Sequence, residues 1–112
     1  MFTRSVSLAA VLLFIPMLVP AAEAQEFGNA ARGRAFAAQI CSDCHQTEPG
    51  NAASPDSAAP PFTAVAKTKG MTAMALGVWL QTSHPTMPNI KLKPETMDDI
   101  ISYILSLRPN RQ

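Results

Sequence analysis

Apolar residues recur at the helical interval in three stretches of this chain. A first helix over 29–39 is predicted by Gly33, Phe36, Ala37 and Ile40, which fall at the i, i+3, i+4, i+7 spacing of one face. Glycine inside a helix costs about 1 kcal/mol relative to alanine, so Gly33 on that face predicts a close approach by another element. Over 72–82, Leu76 and Leu80 lie one turn apart, Thr72 is placed to cap the start, and Pro85 ends the run. The last helix opens at Pro94, in the first position, where a missing N–H is harmless. Met97, Ile100, Ile101, Ile104 and Leu107 form its apolar stripe, and Pro109 stops it. Glu95, Asp98 and Asp99 in its early turns and Arg108 in its last complement the helix dipole. Residues 46–61 are rich in Ala, Ser, Pro, Gly and Asn and have no period, which predicts an irregular loop. No stretch alternates convincingly as a strand does. The predicted fold is all-α.

The amino-terminal segment follows a different logic. Arg4 supplies a positive start, residues 8–19 are apolar apart from Pro16, and Ala22-Glu23-Ala24 is a small-x-small cleavage site. A spanning helix needs about 20 apolar residues, and this run is shorter and is interrupted by Pro16 and followed by Pro20. Residues 1–24 therefore read as a cleaved signal peptide, with the mature domain at 25–112 and a bacterial periplasm as its destination. Loss of Arg4 and Glu23 with that segment leaves the formal charge at +1. This is far from the basic excess of nucleic-acid binders, so no nucleic-acid partner is expected.

Within the remaining domain, Cys41-Ser42-Asp43-Cys44-His45 spells C-x-x-C-H, the pattern by which a chain takes haem covalently and then ligates its iron. Two thiols at this separation reach the two vinyl groups of one porphyrin and form thioethers. The imidazole of the next residue is carried to the iron on one face of the ring. A thiol-redox pair and half of a zinc site are the competing uses of such residues. Cys41 and Cys44 are the only cysteines, so no second pair completes a zinc tetrahedron. No strand–helix alternation surrounds them to suggest a thiol-redox fold. One haem c bound through Cys41 and Cys44 is the expected cofactor, and it would give so short a domain a large apolar plate to fold around.

With these features in place, the chain resembles the class I cytochromes c, in their small bacterial periplasmic branch. The resemblance spans 28–108: an amphipathic helix with Gly33, the Cys41-x-x-Cys44-His45 motif, Pro60-Pro61-Phe62, a helix, His84-Pro85-Thr86-Met87-Pro88, and a closing helix with Ile100-Ile101-Ser102-Tyr103-Ile104. It implies three to four helices wrapped around one haem, with the first and last crossing tightly at a glycine. An aromatic of the last helix packs at that crossing, and Tyr103 matches it. Many members carry a first-helix aromatic four residues after the glycine; this chain has Ala37 there, with Phe36 beside it.

Met87 is the expected sixth ligand of the iron, opposite His45. Of the methionines beyond the signal segment, Met71 and Met74 open and occupy a helix and Met97 belongs to an apolar stripe. Met87 lies between Pro85 and Pro88, where no helical face needs filling. A thioether is soft and neutral and raises the potential relative to a second histidine. His84 competes for the same position, but the resembling proteins ligate through the methionine of such a stretch. His84 is then a surface or propionate-side residue, able to exchange onto iron at alkaline pH or when Met87 is lost. The family also implies a proline carbonyl that accepts from the other nitrogen of the ligating histidine. Pro60 fits that role, with Pro61 as the alternative. Phe62, Leu76 and Leu80 are candidate apolar walls, and Trp79 is either a propionate donor or plain packing.

A six-coordinate iron has no open site for a substrate. The expected function is a periplasmic one-electron carrier, not an enzyme and a monomer, that exchanges electrons with redox protein partners. Lys67, Lys69, Lys91 and Lys93 flank the Met87 segment and form either a docking ring for an acidic partner or an ordinary solvated surface. Two other functions stand beside this one. The chain could be the haem-bearing subunit of a dehydrogenase or oxidase complex, or a haem gas sensor with Met87 unbound.

Overall fold

The computed structural model describes residues 27–109, and the predicted signal peptide lies outside them. Four helices follow one another in this region: α1 (Ala30–Ile40), α2 (Phe62–Lys67), α3 (Ala73–Gln81) and α4 (Pro94–Ser106). No strand occurs among the described residues. None of these helices is long and apolar enough to cross a membrane.

Local chemistry sets the helix ends. The Asn29 side chain accepts from the Arg32 N–H at 2.9 Å and starts α1. Thr72 does the same for α3, accepting from the Ala75 N–H at 3.1 Å, and Pro94 occupies the first turn of α4. The pattern of apolar residues predicts no element at α2. Six residues make fewer than two turns, too short for a periodic stripe to show. The helix forms because Phe62 and Ala66, one turn apart, are both buried. Its end is held from a distance: Arg108 donates from Nε to the Ala66 carbonyl at 3.1 Å and from its other arm to the Met71 carbonyl. Arg108 thus lies past the end of α4 and serves the 66–71 turn. The apolar and charge pattern predicts it in the last turn of α4, but the helix closes before it, with Leu107 as its C-cap. Gly70, with φ at +79°, completes that turn in the left-handed region.

Helices α1 and α4 make the main packing interface, and α2 and α3 lie against α4. Gly33 and Ala37 are the buried residues of α1. A Cβ on Gly33 would overlap the Asp99 carbonyl of α4, with the Tyr103 Cβ also in the way. Gly28, just ahead of α1, meets the Asp98 carbonyl of α4 in the same manner. The stripe of α4 is buried at Ile100, Ile101 and Ile104, while Met97 and Leu107 are half-buried at its ends. Ile40, predicted on the packing face of α1, is 45% exposed to solvent and turns to the cavity described below. Its position at the end of α1 carries it past the edge of α4.

Tyr103 sits at this crossing without an aromatic partner from α1. Its ring lies 6.5 Å from that of Phe62, tilted by 58°. Its hydroxyl donates to the Thr47 carbonyl at 2.6 Å. That bond ties the otherwise irregular 46–61 loop to the core. Burial pushes the Tyr103 phenol above its ordinary value, so it remains a donor across the neutral range.

Asp99 has a different role from the dipole partner the sequence suggests. It is buried, and its carboxylate accepts from Arg32 Nε at 2.7 Å, Arg32 Nη2 at 2.9 Å and the Asn29 backbone N–H at 2.6 Å. The guanidinium and the backbone donor hold its carboxyl below the usual carboxylate range. A carboxyl with a depressed folded-state value stabilises the fold fully above its unfolded value, about 3.9. The contribution is lost as pH falls through the lower folded value. Asp99→Asn should therefore be less stable than the wild type at neutral pH and show a shallower stability loss below about pH 4. Circular dichroism melts of the two proteins from neutral to acid pH test this, and parallel pH profiles would refute it.

Candidate functional site

The carboxyl end of α1 runs directly into the Cys41–His45 motif. Cys41 and Ser42 N–H groups both donate to the Ala37 carbonyl, at 2.9 and 3.0 Å, and close the helix. The His45 N–H then donates to the Cys41 carbonyl at 2.9 Å and the Cys44 N–H to the same oxygen at 3.3 Å. The motif is thus a single tight turn. It brings both sulfurs and the imidazole to one surface, because residues three and four apart in such a turn are neighbours. Neither cysteine is in a disulfide. Burial pushes the Cys41 thiol up to about 11, so before attachment it stays protonated at neutral pH.

The next stretch is tethered to this turn at both ends. The Asp56 N–H donates to the Cys44 carbonyl at 3.1 Å, and the Phe62 N–H donates to the Gln46 carbonyl at 2.9 Å. These bonds carry Pro60 back over the motif. His45 Nδ1 lies 2.8 Å from the Pro60 carbonyl. A carbonyl only accepts, so Nδ1 carries the hydrogen and, in the neutral ring, Nε2 keeps its lone pair. The His45 ring also packs 5.4 Å from that of Phe62. Two adjacent prolines offered a carbonyl, and the backbone direction entering α2 presents that of Pro60.

The turn borders a cavity of about 550 Å³, within the range of about 300–1,000 Å³ typical of small-molecule sites. Cys41, Cys44, His45, Pro60 and Met87 all line it, as do Phe62, Leu76, Leu80, Trp79 and His84. Lys67, Lys69, Lys91 and Lys93 are exposed and do not line it. Ile100 and Ile104, which back the cavity from α4, and Ile90, which reaches it from the loop after Met87, are further wall residues that the sequence alone does not single out. The signal for the first two was present, since a stripe wide enough to meet both α1 and a cofactor shows the same period as one that meets α1 alone. Trp79 is 56% exposed and its ring lies 4.6 Å from that of His84.

These residues fit a porphyrin. Two unpaired thiols and a nitrogen with a free lone pair stand at the edge of a large, mainly hydrocarbon-walled space, which is the donor set and environment that haem attachment needs.

An all-helical domain built around a C-x-x-C-H turn and an apolar cavity defines a haem-binding protein of the c type. The cytochrome c family profile matches residues 30–108. The chain is 37% identical over 82 residues to the cytochrome c-552 of Bradyrhizobium diazoefficiens, an alignment covering 72% of this chain and 77% of that protein. No solved structure matches it. The chain belongs to the cytochrome c family. It carries one haem c, bound covalently through Cys41 and Cys44.

Proposed function

We propose that this protein is an exported one-electron carrier of a bacterial periplasm, with its haem iron held between His45 and Met87. The observation that carries the reading is that His45 and Met87 border one apolar cavity while His45 Nδ1 is engaged by the Pro60 carbonyl. Bound haem c supplies a metal that cycles between ferric and ferrous states. Everything else is work for the polypeptide. The Pro60 carbonyl sets the orientation of the His45 ring and strengthens Nε2 as a donor. Met87, held between Pro85 and Pro88, offers a neutral sulfur that favours the reduced state. Phe62, Leu76, Ile100 and Ile104 exclude water, which disfavours the extra positive charge of the oxidised state and raises the potential further.

If His45 and Met87 both hold the haem, this chain's own side chains would leave no place for a substrate at the metal, which makes the protein a carrier and not an enzyme. The surface suits partner docking. No Asp or Glu occurs from 57 to 94, a stretch that holds four lysines and Met87, so an acidic redox partner would be drawn to this side in a salt-dependent way. The resemblance to an 82-residue span of cytochrome c-552 supports the carrier assignment.

The decisive test is carbon monoxide. The reduced protein should bind it negligibly at neutral pH while exchanging electrons rapidly with small redox mediators. Rapid binding by the native protein would mean an open sixth position and would overturn the His45–Met87 reading.

One observation favours a second reading, the haem-bearing subunit of a dehydrogenase or oxidase complex. Met74 and Val78 of α3, one turn apart, are 81% and 56% exposed and do not line the cavity. Co-purification of a second chain at fixed stoichiometry would select the complex subunit, and a monodisperse monomer would select the free carrier.

A further inference from the structure

The proposed ligand pair leaves one strong iron donor at the cavity unused. His84 borders the same space as His45 and Met87, three residues ahead of Met87 in the chain. Its Nδ1 lies 2.8 Å from the Thr82 carbonyl. This repeats the arrangement of His45, whose Nδ1 is 2.8 Å from the Pro60 carbonyl. In both rings the carbonyl fixes the hydrogen on Nδ1, so the neutral ring has its lone pair on Nε2. That tautomer, braced by a backbone acceptor, is the one a metal-ligating histidine adopts. No carboxylate is bonded to His84 among the described residues; its other neighbour is the Trp79 ring, at 4.6 Å and tilted by 55°.

We propose that His84 is a reserve axial ligand, which takes the sixth position on the iron through Nε2 whenever the Met87 sulfur is withdrawn. The proposal rests on the reading of Met87 as the resident ligand. Three observations carry it: the shared cavity, the preset tautomer, and the segment on which both side chains ride. Residues 82–93 contain no helix, and three residues of chain span at most about 10 Å. This loop can therefore exchange one side chain for the other while α3 and α4 stay in place. The exchange balances simply. The iron–sulfur bond breaks and an iron–nitrogen bond forms, no electron moves, and the proton stays on Nδ1. Lys91 and Lys93 are exposed and do not line the cavity, so His84 is the better placed donor. Imidazole favours ferric iron over ferrous, so the exchange is easiest in the oxidised protein. Its consequence is a closed site of lower potential where an open one would otherwise arise.

The test compares holo Met87→Ala with holo Met87→Ala/His84→Ala by absorption and electron paramagnetic resonance at neutral pH. The single variant should be low-spin in the ferric state without the sulfur-to-iron band, and its reduced form should resist carbon monoxide. The double variant should be high-spin, bind carbon monoxide readily and take up added imidazole at least tenfold more tightly than the single variant. His84→Ala alone should keep the wild-type spectrum. The volume-preserving pair Met87→Leu and Met87→Leu/His84→Gln should reproduce the contrast, which guards against loss of packing. A high-spin Met87→Ala, or a double variant that stays low-spin, would overturn the reserve role and leave Met87 as resident ligand. Retention of the sulfur band in Met87→Ala would overturn the underlying His45–Met87 reading, and the reserve role with it.

Discussion

Substituting valine for Gly33 should leave too little folded protein to accumulate, and substituting alanine should lower the melting temperature by about 8–16 °C. A Cβ at this position overlaps the Asp99 backbone carbonyl of α4. Backbone cannot rotate out of the way as a side chain can, so α1 and α4 must move apart along their main interface. Forcing extra carbon into a packed contact costs about 1–3 kcal/mol and occasionally more. Overlap with backbone puts the cost at the top of that range, about 3 kcal/mol; alanine recovers about 1 kcal/mol of helix propensity, so its net loss is about 2 kcal/mol, and each kcal/mol shifts the melting temperature by about 4–8 °C in a domain of this size. Valine adds two further methyl groups and recovers less helix propensity. A small domain has a total stability of about 5–15 kcal/mol, so the valine variant spends much of its margin at one contact. Ala35→Val provides the control, since Ala35 is exposed on the same helix and its replacement should cost under about 1 kcal/mol. If thermal melts of Gly33→Ala and Ala35→Val coincided, the close approach of the two helices would not be a source of stability.

Replacing Met87 with histidine should remove the weak sulfur-to-iron band at the red end of the visible spectrum, keep the protein low-spin, and lower its potential by an amount on the order of 0.1 V or more. Axial ligands command a span of about 0.8 V in haem proteins, and exchanging a thioether for an imidazole stabilises the ferric state. The apolar walls supplied by Phe62, Leu76, Ile100 and Ile104 are unchanged by the substitution, so the drop isolates the ligand from the environment. Spectroelectrochemical titration of the two proteins measures it. An unchanged spectrum and potential would require a ligand other than Met87.

The parts of this protein that can be read from its sequence are those encoded within a few residues of chain. The interval between Cys41 and Cys44 and the adjacency of His45 are covalent facts, so the attachment chemistry is legible before any fold is known. Helices α1, α3 and α4 announce themselves through repeated apolar spacing, and α3 and α4 also through the Thr72 cap and Pro94 in the first turn, which act within one turn. Gly33 signals a close approach because a glycine is disfavoured in a helix unless something needs the space. Other features depend on residues that meet only when the chain has folded. Helix α2 exists because Phe62 and Ala66 find the flank of α4, with nothing periodic to mark it. Asp99 reads as one acidic residue in an early helical turn, until the crossing of α1 over α4 brings it to Arg32, 67 positions away. Tyr103 finds its acceptor at Thr47 across 56 positions, and Arg108 leaves the end of α4 to hold two carbonyls near α2. The orientation of Pro60 and not Pro61 toward His45 was a choice between two chemically identical carbonyls, decided by the backbone direction entering α2. Side-chain type and spacing specify what a residue can do, but a hydrogen bond or an ion pair also needs a partner at about 3 Å, and only the tertiary structure supplies that distance.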